Sequence, residues 1–363
     1  MINLFQEISE SCRLEIPTHH HRRIGVIGAG GIVSGAHLPA YAKAGLPIHA
    51  ITDIDRAKAE SMAETFGIEV VYDSVEHLLA DSAIEVVDIA VPASEQPAIL
   101  MAALAAGKHV LAQKPLATSL QAAQELAHAA AESGLVVAVN QQMRFDEGIA
   151  AAHAMVTKGW IGEVSGMSIT VNLDTPWHLW DWAQSMERLE IMVHSIHYHD
   201  VIRWFLGEPH TVFAAAGRTE GQAPVGETRT VSSFVFNSGA VALVHANHVN
   251  RGGDNAAEFR IDGSEGSIRG TLGLLYDYPD GRVDTLELRS HILPTDGWVP
   301  YPVTQRWIPD AFIGTMGGVL AGVAGEGGPR SPISDNVHTI AIVDALYRSI
   351  ESRQAVALTE DED

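Results

Sequence analysis

The sequence has little cysteine, little positive charge and no long apolar segment. Cys12 is the one cysteine among 363 residues, which excludes an internal disulfide framework and favours a reducing, cytoplasmic location. The chain has 23 lysines and arginines against 45 aspartates and glutamates, a formal net charge of −22. Because so negative a protein is repelled by phosphate backbones and by anionic lipid, we expect neither a nucleic acid nor a membrane as a partner.

No apolar run approaches the roughly 18 residues that a membrane-spanning helix needs. The N-terminal segment contains Glu7, Glu10 and Glu15 and lacks an apolar stretch, so it does not look like a signal peptide. The His19–His21 run is interpreted as an exposed polar lead-in rather than a metal site. With 46% apolar and 19% charged residues, the composition is that of a soluble globular protein with about two domains.

The most informative stretch is a glycine turn between two apolar runs. The first run, Ile24–Ile27, ends at Gly28 and Gly30, and the second ends in Asp53. Strand, glycine turn, helix and strand in this order are typical of a dinucleotide-binding βαβ unit. Gly28 would permit the tight turn, and Gly30 would let backbone amides approach a pyrophosphate. Asp53 would accept the ribose hydroxyls of NAD and repel the 2′-phosphate of NADP, so NAD is the predicted cofactor.

After Asp53, strand-like runs alternate with helix-like segments as far as residue 139. The predicted strands are Glu69–Val71, Val86–Val91 (apolar apart from Asp88), His109–Ala112 and Leu135–Val139. The predicted helices are Asp55–Phe66, a short helix capped by Ser74, Ala98–Ala106 and Ser119–Ser133. This alternation predicts a doubly wound parallel sheet with the ligand at the carboxyl ends of its strands.

Near Arg144 the alternation stops and strand-like runs follow one another. They are Val164–Val171, Thr211–Ala215, Thr228–Phe236, Ala240–Asn247, Glu258–Asp262, Ser267–Thr271 and Thr285–His291. We predict a mainly antiparallel open sheet in an α+β domain, with helices through Trp160, over Met186–Leu206 and over Asn336–Glu351. Gly314–Gly328 is rich in glycine and is assigned to no element. The predicted division is an extension at 1–21, an NAD-binding Rossmann domain at 22–143, and an α+β domain at 144–363.

Lys114 is the first candidate for chemistry. It follows the predicted strand His109–Ala112 and precedes Pro115, which biases it toward an extended conformation. A lysine at that edge can donate a hydrogen bond to a substrate hydroxyl and favour the alkoxide, which lowers the barrier to hydride loss. The alternative is a surface lysine beside a turn proline.

The predicted helix Met186–Leu206 carries the second candidate. Glu190, His194 and His197 are spaced i, i+4 and i+7, on one face of an α-helix, where they could supply a general base with a carboxylate nearby. The alternative is histidines packed at a domain interface. His199 points away from His197, so the three histidines do not converge on a metal, and no metal site is predicted.

The aromatic segment Trp177–Trp182 is the third candidate. A tryptophan face matches the apolar side of a sugar or cyclitol ring, but each ring could equally be a core residue. The predicted substrate-binding residues are Trp177, Trp180, Glu190, His194 and Arg144.

The chain resembles the glucose–fructose oxidoreductase / inositol dehydrogenase (Gfo/Idh/MocA) family over roughly residues 23–358. The resemblance rests on Gly28–Ile32, on Gly107–Val110 leading to Gln113–Ala117, and on His197–Asp200 before Arg203–Gly207. It implies a Rossmann domain followed by an open-sheet domain, here 144–363. That second domain is implied to be the substrate-binding and oligomerisation domain, often assembled into dimers or tetramers through its sheet. It also implies NAD(P)-dependent oxidation of secondary alcohols on sugars, cyclitols or related polyols.

The same resemblance implies site residues. Lys114 matches the catalytic lysine of the family and His197 its catalytic histidine, the two meeting over the nicotinamide. The predicted cofactor-binding residues are Gly28, Gly30, Gly31, Ile32, Asp53, Pro92, Gln96, Gln113 and Lys114.

Three positions depart from the family pattern. Gln113 replaces the usual glutamate, Gln96 stands where many members have a histidine, and Val193 stands where an acid usually precedes the histidine. Two other functions therefore remain open: a cofactor-binding sensor or regulatory protein without turnover, and a redox-assisted glycoside-modifying enzyme that recycles its NAD.

Overall fold

The computed structural model describes residues 4–278, 280–294 and 296–358. These fall into two compact units. The parallel-sheet unit comprises Leu14–Phe145 and Ile308–Ile340, and the mixed-sheet unit comprises residues 4–13, 146–307 and 341–358. None of the helices within the described ranges is both long and apolar enough to cross a membrane.

The strands of the parallel-sheet unit form one six-stranded sheet. They are β1 (Ile24–Ile27), β2 (Ile48–Thr52), β3 (Val70–Val71), β4 (Val86–Ile89), β5 (His109–Ala112) and β6 (Val137–Val139). Their order is β3-β2-β1-β4-β5-β6 and every pair is parallel. This confirms the predicted doubly wound sheet, in which the order reverses between β1 and β4.

The helices connecting these strands begin and end largely where the sequence predicts. They are α2 (Leu38–Ala44), α3 (Arg56–Phe66), α4 (Val75–Ala80), α5 (Gln96–Ala105) and α6 (Leu120–Ser133). The hydroxyl of Ser74 accepts a hydrogen bond from the His77 amide, and that of Ser119 accepts one from Ala122. Gly134 ends α6 in the left-handed conformation at φ 65°.

The glycine-rich stretch that the sequence left unassigned forms most of helix α10 (Ala311–Ala324). Its apolar side chains, among them Phe312, Met316 and Leu320, are buried in the same core as the β1 and β2 side chains. A Cβ on Gly314 would collide with the ring of Phe145, so glycine is needed for this close packing.

The position of helix α10 makes the observed division of the chain differ from the predicted one. Because Ile308–Ile340 packs in the parallel-sheet unit, that unit is built from two separate stretches of chain, not from 22–143 alone. The predicted extension at 1–21 is likewise divided after Arg13. Helix α1 (Gln6–Ser11) belongs to the mixed-sheet unit, where Phe5 packs edge-on against Tyr301 with ring centroids 5.4 Å apart.

The mixed-sheet unit contains one open nine-stranded sheet. Its strands are β7 (Val164–Asn172), β8 (Thr211–Gly217), β9 (Arg229–Val235), β10 (Val241–Asn247), β11 (Ala256–Gly263), β12 (Gly266–Thr271), β13 (Leu286–Ser290), β14 (Val299–Tyr301) and β15 (Val356–Ala357). Their order is β14-β13-β12-β11-β7-β10-β9-β8-β15. Neighbouring strands of this sheet are antiparallel except β7 with β10, which confirms a mainly antiparallel sheet.

The remaining helices are α7 (Glu147–Thr157), α8 (Asp181–Gln184), α9 (Ile196–Leu206) and α11 (Ile333–Ser352). The predicted helix Met186–Leu206 is shorter than expected and begins with a π-helix over Glu190–Ser195. A second π-helix, Val33–His37, precedes α2.

Candidate functional site

The cofactor-binding candidates of the parallel-sheet unit follow the carboxyl ends of its central strands. Gly28 follows β1, Asp53 follows β2, Pro92 lies beyond β4, and Gln113 and Lys114 follow β5. Since β1 and β4 are neighbours at the point where the strand order reverses, this edge is where a doubly wound fold binds its ligand.

The glycines of the turn serve two different purposes. Gly28 has φ 111°, and a Cβ there would collide with the carbonyl oxygen of Ala90, so the fold itself requires this glycine. A Cβ on Gly30 or Gly31 would meet nothing within 4 Å, and both residues are exposed. Packing within the protein therefore does not explain why positions 30 and 31 are glycine, whereas an anion lying against the backbone would explain it. Ile32 is half-buried against the core.

Asp53 is held by the same turn. One carboxylate oxygen accepts a hydrogen bond from the Ala29 amide at 2.6 Å, and the other accepts one from the Asp55 amide at 2.7 Å. A carboxylate offers about four acceptor positions, so about two remain for the hydroxyls of a ribose. The next residue, Ile54, is fully exposed at 107%.

The backbone around Lys114 is fixed from both sides. The amide nitrogen of Lys114 donates to Oε1 of Gln113 at 2.8 Å, and Nε2 of Gln96 lies 2.6 Å from the Gln113 carbonyl oxygen and 3.0 Å from that of Leu116. The Lys114–Pro115 bond is cis. Lys114 is half-buried, and desolvation lowers the pKa of its ammonium to about 8.

Gln96 and Gln113, which are predicted to contact the cofactor, have side-chain amides that bond within the protein. Gln96 is 0% exposed and Gln113 8% exposed, and their amides bond to protein atoms. Their role in this structure is to position the turn that carries Lys114. Pro92 is half-buried, and its carbonyl accepts from the Gln96 amide at 3.1 Å near the start of α5.

A buried network that the sequence analysis missed extends from Gln113. Nε2 of Gln113 lies 2.9 Å from Nε2 of His37, and Nδ1 of His37 lies 2.6 Å from Oδ2 of Asp88. The Tyr41 hydroxyl donates to the same Asp88 oxygen at 2.7 Å. Since Oε1 of Gln113 accepts from Lys114, its amide nitrogen faces His37, which must accept at Nε2 and donate from Nδ1. The sequence signal was Asp88, a charged residue inside an apolar strand.

Arg144 does not have the solvent access expected of a substrate-binding residue. It is 2% exposed, donates to the Arg330 carbonyl at 2.6 Å and pairs with Asp335 at 2.8 Å. Its guanidinium therefore fastens the stretch that follows α10 within the parallel-sheet unit.

In the mixed-sheet unit, a buried carboxylate fixes the start of the π-helix Glu190–Ser195. Glu227 accepts hydrogen bonds from the amides of Leu189 at 3.1 Å and Ile191 at 3.3 Å, and from the hydroxyl of Tyr347 at 2.7 Å. These amides would otherwise lack partners at a helix start. Burial raises the pKa of Glu227, although these bonds oppose the shift.

Glu190 also lacks the access needed to touch a substrate. It is 0% exposed, and its two oxygens accept from Ser195 and Thr230 at 2.5 Å each. Nε2 of His248 lies 3.4 Å from the carboxylate. Although burial opposes it, the nearby His248 and hydrogen bonds from Ser195 and Thr230 give Glu190 a lowered pKa, so it stays charged at neutral pH. We reassign Glu190 from substrate contact to positioning His248, which the sequence analysis missed.

His194 lies among aromatic rings. Its ring centroid is 4.6 Å from that of His248, 5.5 Å from Trp177 and 6.3 Å from Trp180. Trp177 is buried and donates its indole N–H to the His248 carbonyl at 3.1 Å. His194 and Trp180 are half-buried and keep part of their surfaces accessible.

His197 lies in the first turn of α9. It is 7% exposed and packs edge-on against Trp307 with ring centroids 5.5 Å apart. His199 is fully buried, and desolvation lowers its pKa to about 4, so it is neutral at physiological pH. Val193, at the position of the family acid, is buried as well.

Comparison with known families decides the relationship. Residues 22–141 match the family described as "Oxidoreductase family, NAD-binding Rossmann fold", and residues 149–269 match the GFO/IDH/MocA C-terminal domain. The chain belongs to the Gfo/Idh/MocA oxidoreductase family. The resemblance drawn from its motifs is thereby confirmed, and its parallel-sheet unit is an NAD-binding Rossmann domain.

Individual members of the family are distant in sequence. The chain is 25% identical over 342 residues to 1,5-anhydro-D-fructose reductase of Ensifer adhaerens, covering 93% of this chain and 98% of that protein. It is 25% identical to D-apiose dehydrogenase of Paraburkholderia graminis, covering 92% and 89%. An Agrobacterium radiobacter oxidoreductase solved with NAD+, L-tartaric acid and magnesium has the same fold at TM-score 0.83 and 23% identity, covering 93% and 98%.

Proposed function

We propose that this Gfo/Idh/MocA protein is an NAD-dependent oxidoreductase that moves a hydride between the nicotinamide and a secondary alcohol or ketone of a sugar, cyclitol or related polyol. The observation that carries the proposal is Lys114, held after β5 at the ligand edge of an NAD-binding Rossmann domain. The sugar reductase and dehydrogenase names of its relatives support the substrate class.

The residues of the parallel-sheet unit fit a dinucleotide. Gly30 and Gly31 leave backbone open to a pyrophosphate, and Asp53 keeps acceptor positions for a ribose. The same carboxylate would repel the 2′-phosphate of NADP, which supports NAD as the preferred cofactor. When bound, NAD supplies the acceptor for the hydride.

We assign the proton chemistry to Lys114 and His197. The Lys114 ammonium would donate a hydrogen bond to the reacting oxygen and stabilise its developing negative charge. His197 would take the hydroxyl proton as the general base in the oxidation direction. His194 and Trp180, which keep accessible surface in the mixed-sheet unit, are proposed to contact the polyol ring.

We also propose that the protein is a cytoplasmic homodimer or homotetramer that assembles through its mixed sheet. One face of β8, β9 and β10 exposes apolar side chains: Phe213 (40%), Val231 (40%), Val235 (41%), Val241 (55%) and Leu243 (40%). Val241 pairs with Val235 across the strands, so the patch is continuous. Val241→Asp should dissociate the assembly in sedimentation, whereas Ile292→Asp, at another exposed apolar residue, should not. The lone Cys12, which is buried, supports the cytoplasmic location.

The decisive experiment is NADH formation on a panel of sugars and cyclitols. We expect turnover with at least one polyol and a fall of at least 100-fold in kcat for Lys114→Met, with the NAD dissociation constant changed less than tenfold. Lys158→Met, an exposed lysine paired with Glu7, is the matched control. Tight NAD binding without turnover on any polyol or ketone would overturn the proposal in favour of a sensor. Substrate loss without net NADH would indicate recycled cofactor instead.

A further inference from the structure

Two histidines and a carboxylate of the parallel-sheet unit converge on one point outside the residues assigned to the proposed reaction. The sequence alone led us to interpret His19–His21 as an exposed polar lead-in, but His20 is buried, with 6% of its surface exposed. His19 and His20 lie in the short 3-10 helix Thr18–His20, and Glu326 comes directly after Gly325, the C-cap of α10. Nε2 of His19 is 3.1 Å and Nε2 of His20 is 3.0 Å from the same oxygen, Oε2 of Glu326. Two separate stretches of chain are therefore joined through one carboxylate oxygen.

The three donor atoms have the spacing of a metal-ligand set. All of them lie within 4.8 Å of one another. In each histidine–glutamate pair the two atoms are 3.0–3.1 Å apart, so at a zinc ion 2.0–2.1 Å from both they would subtend about 90–100°, a value between octahedral and tetrahedral geometry. Small side-chain movements would thus admit an ion.

The exposure and the chemistry of the three side chains also suit a metal ion. The His20 side chain is 8% exposed and held in place, whereas His19 (61%) and Glu326 (55%) reach solvent, so an ion can enter and water can complete its shell. Two imidazole nitrogens with one carboxylate oxygen suit zinc and its transition-metal neighbours, while calcium and magnesium prefer oxygen-only sets.

We propose that His19, His20 and Glu326 bind one Zn²⁺ ion. The ion links the N-terminal segment to the end of α10, which packs against it. All three residues lie outside the two matches to the family, 22–141 and 149–269. None of the three residues is assigned a part in the proposed reaction.

The test is calorimetric titration of the untagged full-length protein with zinc chloride at pH 7.5, with the melting temperature recorded in parallel. We expect one ion per chain and a melting temperature that rises with zinc concentration. His19→Ala and Glu326→Gln, both at exposed positions, should weaken binding at least tenfold. His128→Ala is the control, because His128 pairs with Glu132 on the surface (77% and 71% exposed) and offers no third ligand.

Binding should also weaken on acidification from pH 7.5 to 5.5, because the imidazoles must be deprotonated to ligate zinc. Absence of a one-to-one site in the wild type would overturn the proposal. Binding that His19→Ala and Glu326→Gln leave unchanged would do the same. In either case the cluster is a pair of histidine–carboxylate hydrogen bonds only.

Discussion

The substitution Gln113→Glu exchanges one side-chain nitrogen for an oxygen and tests the buried hydrogen-bond network of Gln113, His37 and Asp88. A carboxylate at position 113 keeps one oxygen for the Lys114 amide, but its other oxygen replaces the amide nitrogen that lies 2.9 Å from Nε2 of His37. Two acceptors then face each other in a buried place, because Nδ1 of His37 already donates to Asp88 at 2.6 Å. The contact can be restored only if a proton is added between position 113 and His37.

The expected size follows from the cost of an unsatisfied buried group, about 1–3 kcal/mol. At 1.36 kcal/mol per pKa unit, this energy can raise the pKa of the new proton site by about one to two units above its value in the unfolded chain. The folded variant then binds more protons than the unfolded variant. The penalty is therefore small at pH values where the carboxyl is protonated in both states, and it grows as pH rises through the raised pKa.

The assay is the free energy of unfolding of wild type and Gln113→Glu at several pH values between 4 and 8. We expect the variant to lose progressively more stability as pH rises through the raised pKa, and the deficit to level off at about 1–3 kcal/mol by pH 8. Gln113→Met is the matched control, because it removes the same hydrogen bonds without adding a titratable group, and its deficit should stay flat. A Gln113→Glu deficit as flat as that of Gln113→Met would refute the assigned donor and acceptor order.

Three further predictions concern the cofactor edge and Lys114. Gly30→Ala should leave the melting temperature unchanged, since its Cβ meets no protein atom, and should raise the NAD dissociation constant at least tenfold in calorimetry. Gly35→Ala is the control, because a Cβ there also meets no protein atom. Equal effects of the two substitutions on NAD binding would contradict a pyrophosphate lying against Gly30. Asp53→Asn should reduce the preference for NAD over NADP at least tenfold, and an unchanged ratio of dissociation constants would remove Asp53 from that role. Because the pKa of Lys114 is about 8, its ammonium is lost as pH rises, and kcat/KM for polyol oxidation should fall above pH 8. Lys114→Arg should abolish this alkaline decline. If the decline persists in the variant, it belongs to another group.

The sequence predicts the parallel-sheet unit well because its signals are local. An apolar run stopped by Gly28 or Pro92 marks a strand end, and Ser74 and Ser119 mark helix starts that the structure reproduces. Where those strands end also fixes where Asp53 and Lys114 lie, because the carboxyl ends of parallel strands share one edge.

Helix α10 could not be predicted in the same way. Its glycines oppose helix formation by about 1 kcal/mol each relative to alanine. They are tolerated because Gly314 packs against Phe145 and Gly322 against Val136, contacts between residues far apart in sequence. The assignment of Ile308–Ile340 to the parallel-sheet unit depends on those contacts, which no local sequence pattern predicts.

The side-chain directions around Glu190 show a different limit. Spacing of i, i+4 and i+7 places Glu190, His194 and His197 on one face only if every turn has 3.6 residues. In the structure Glu190–Ser195 is a π-helix, whose wider turn brings Ser195 at i+5 onto the Glu190 carboxylate at 2.5 Å. Glu190 is thereby turned toward Thr230 in β9 and His248 just after β10, residues that no helical period can indicate. The extra residue in one helical turn thus places the Glu190 carboxylate beside His248 and not beside His194 or His197. Only the tertiary structure shows this pairing.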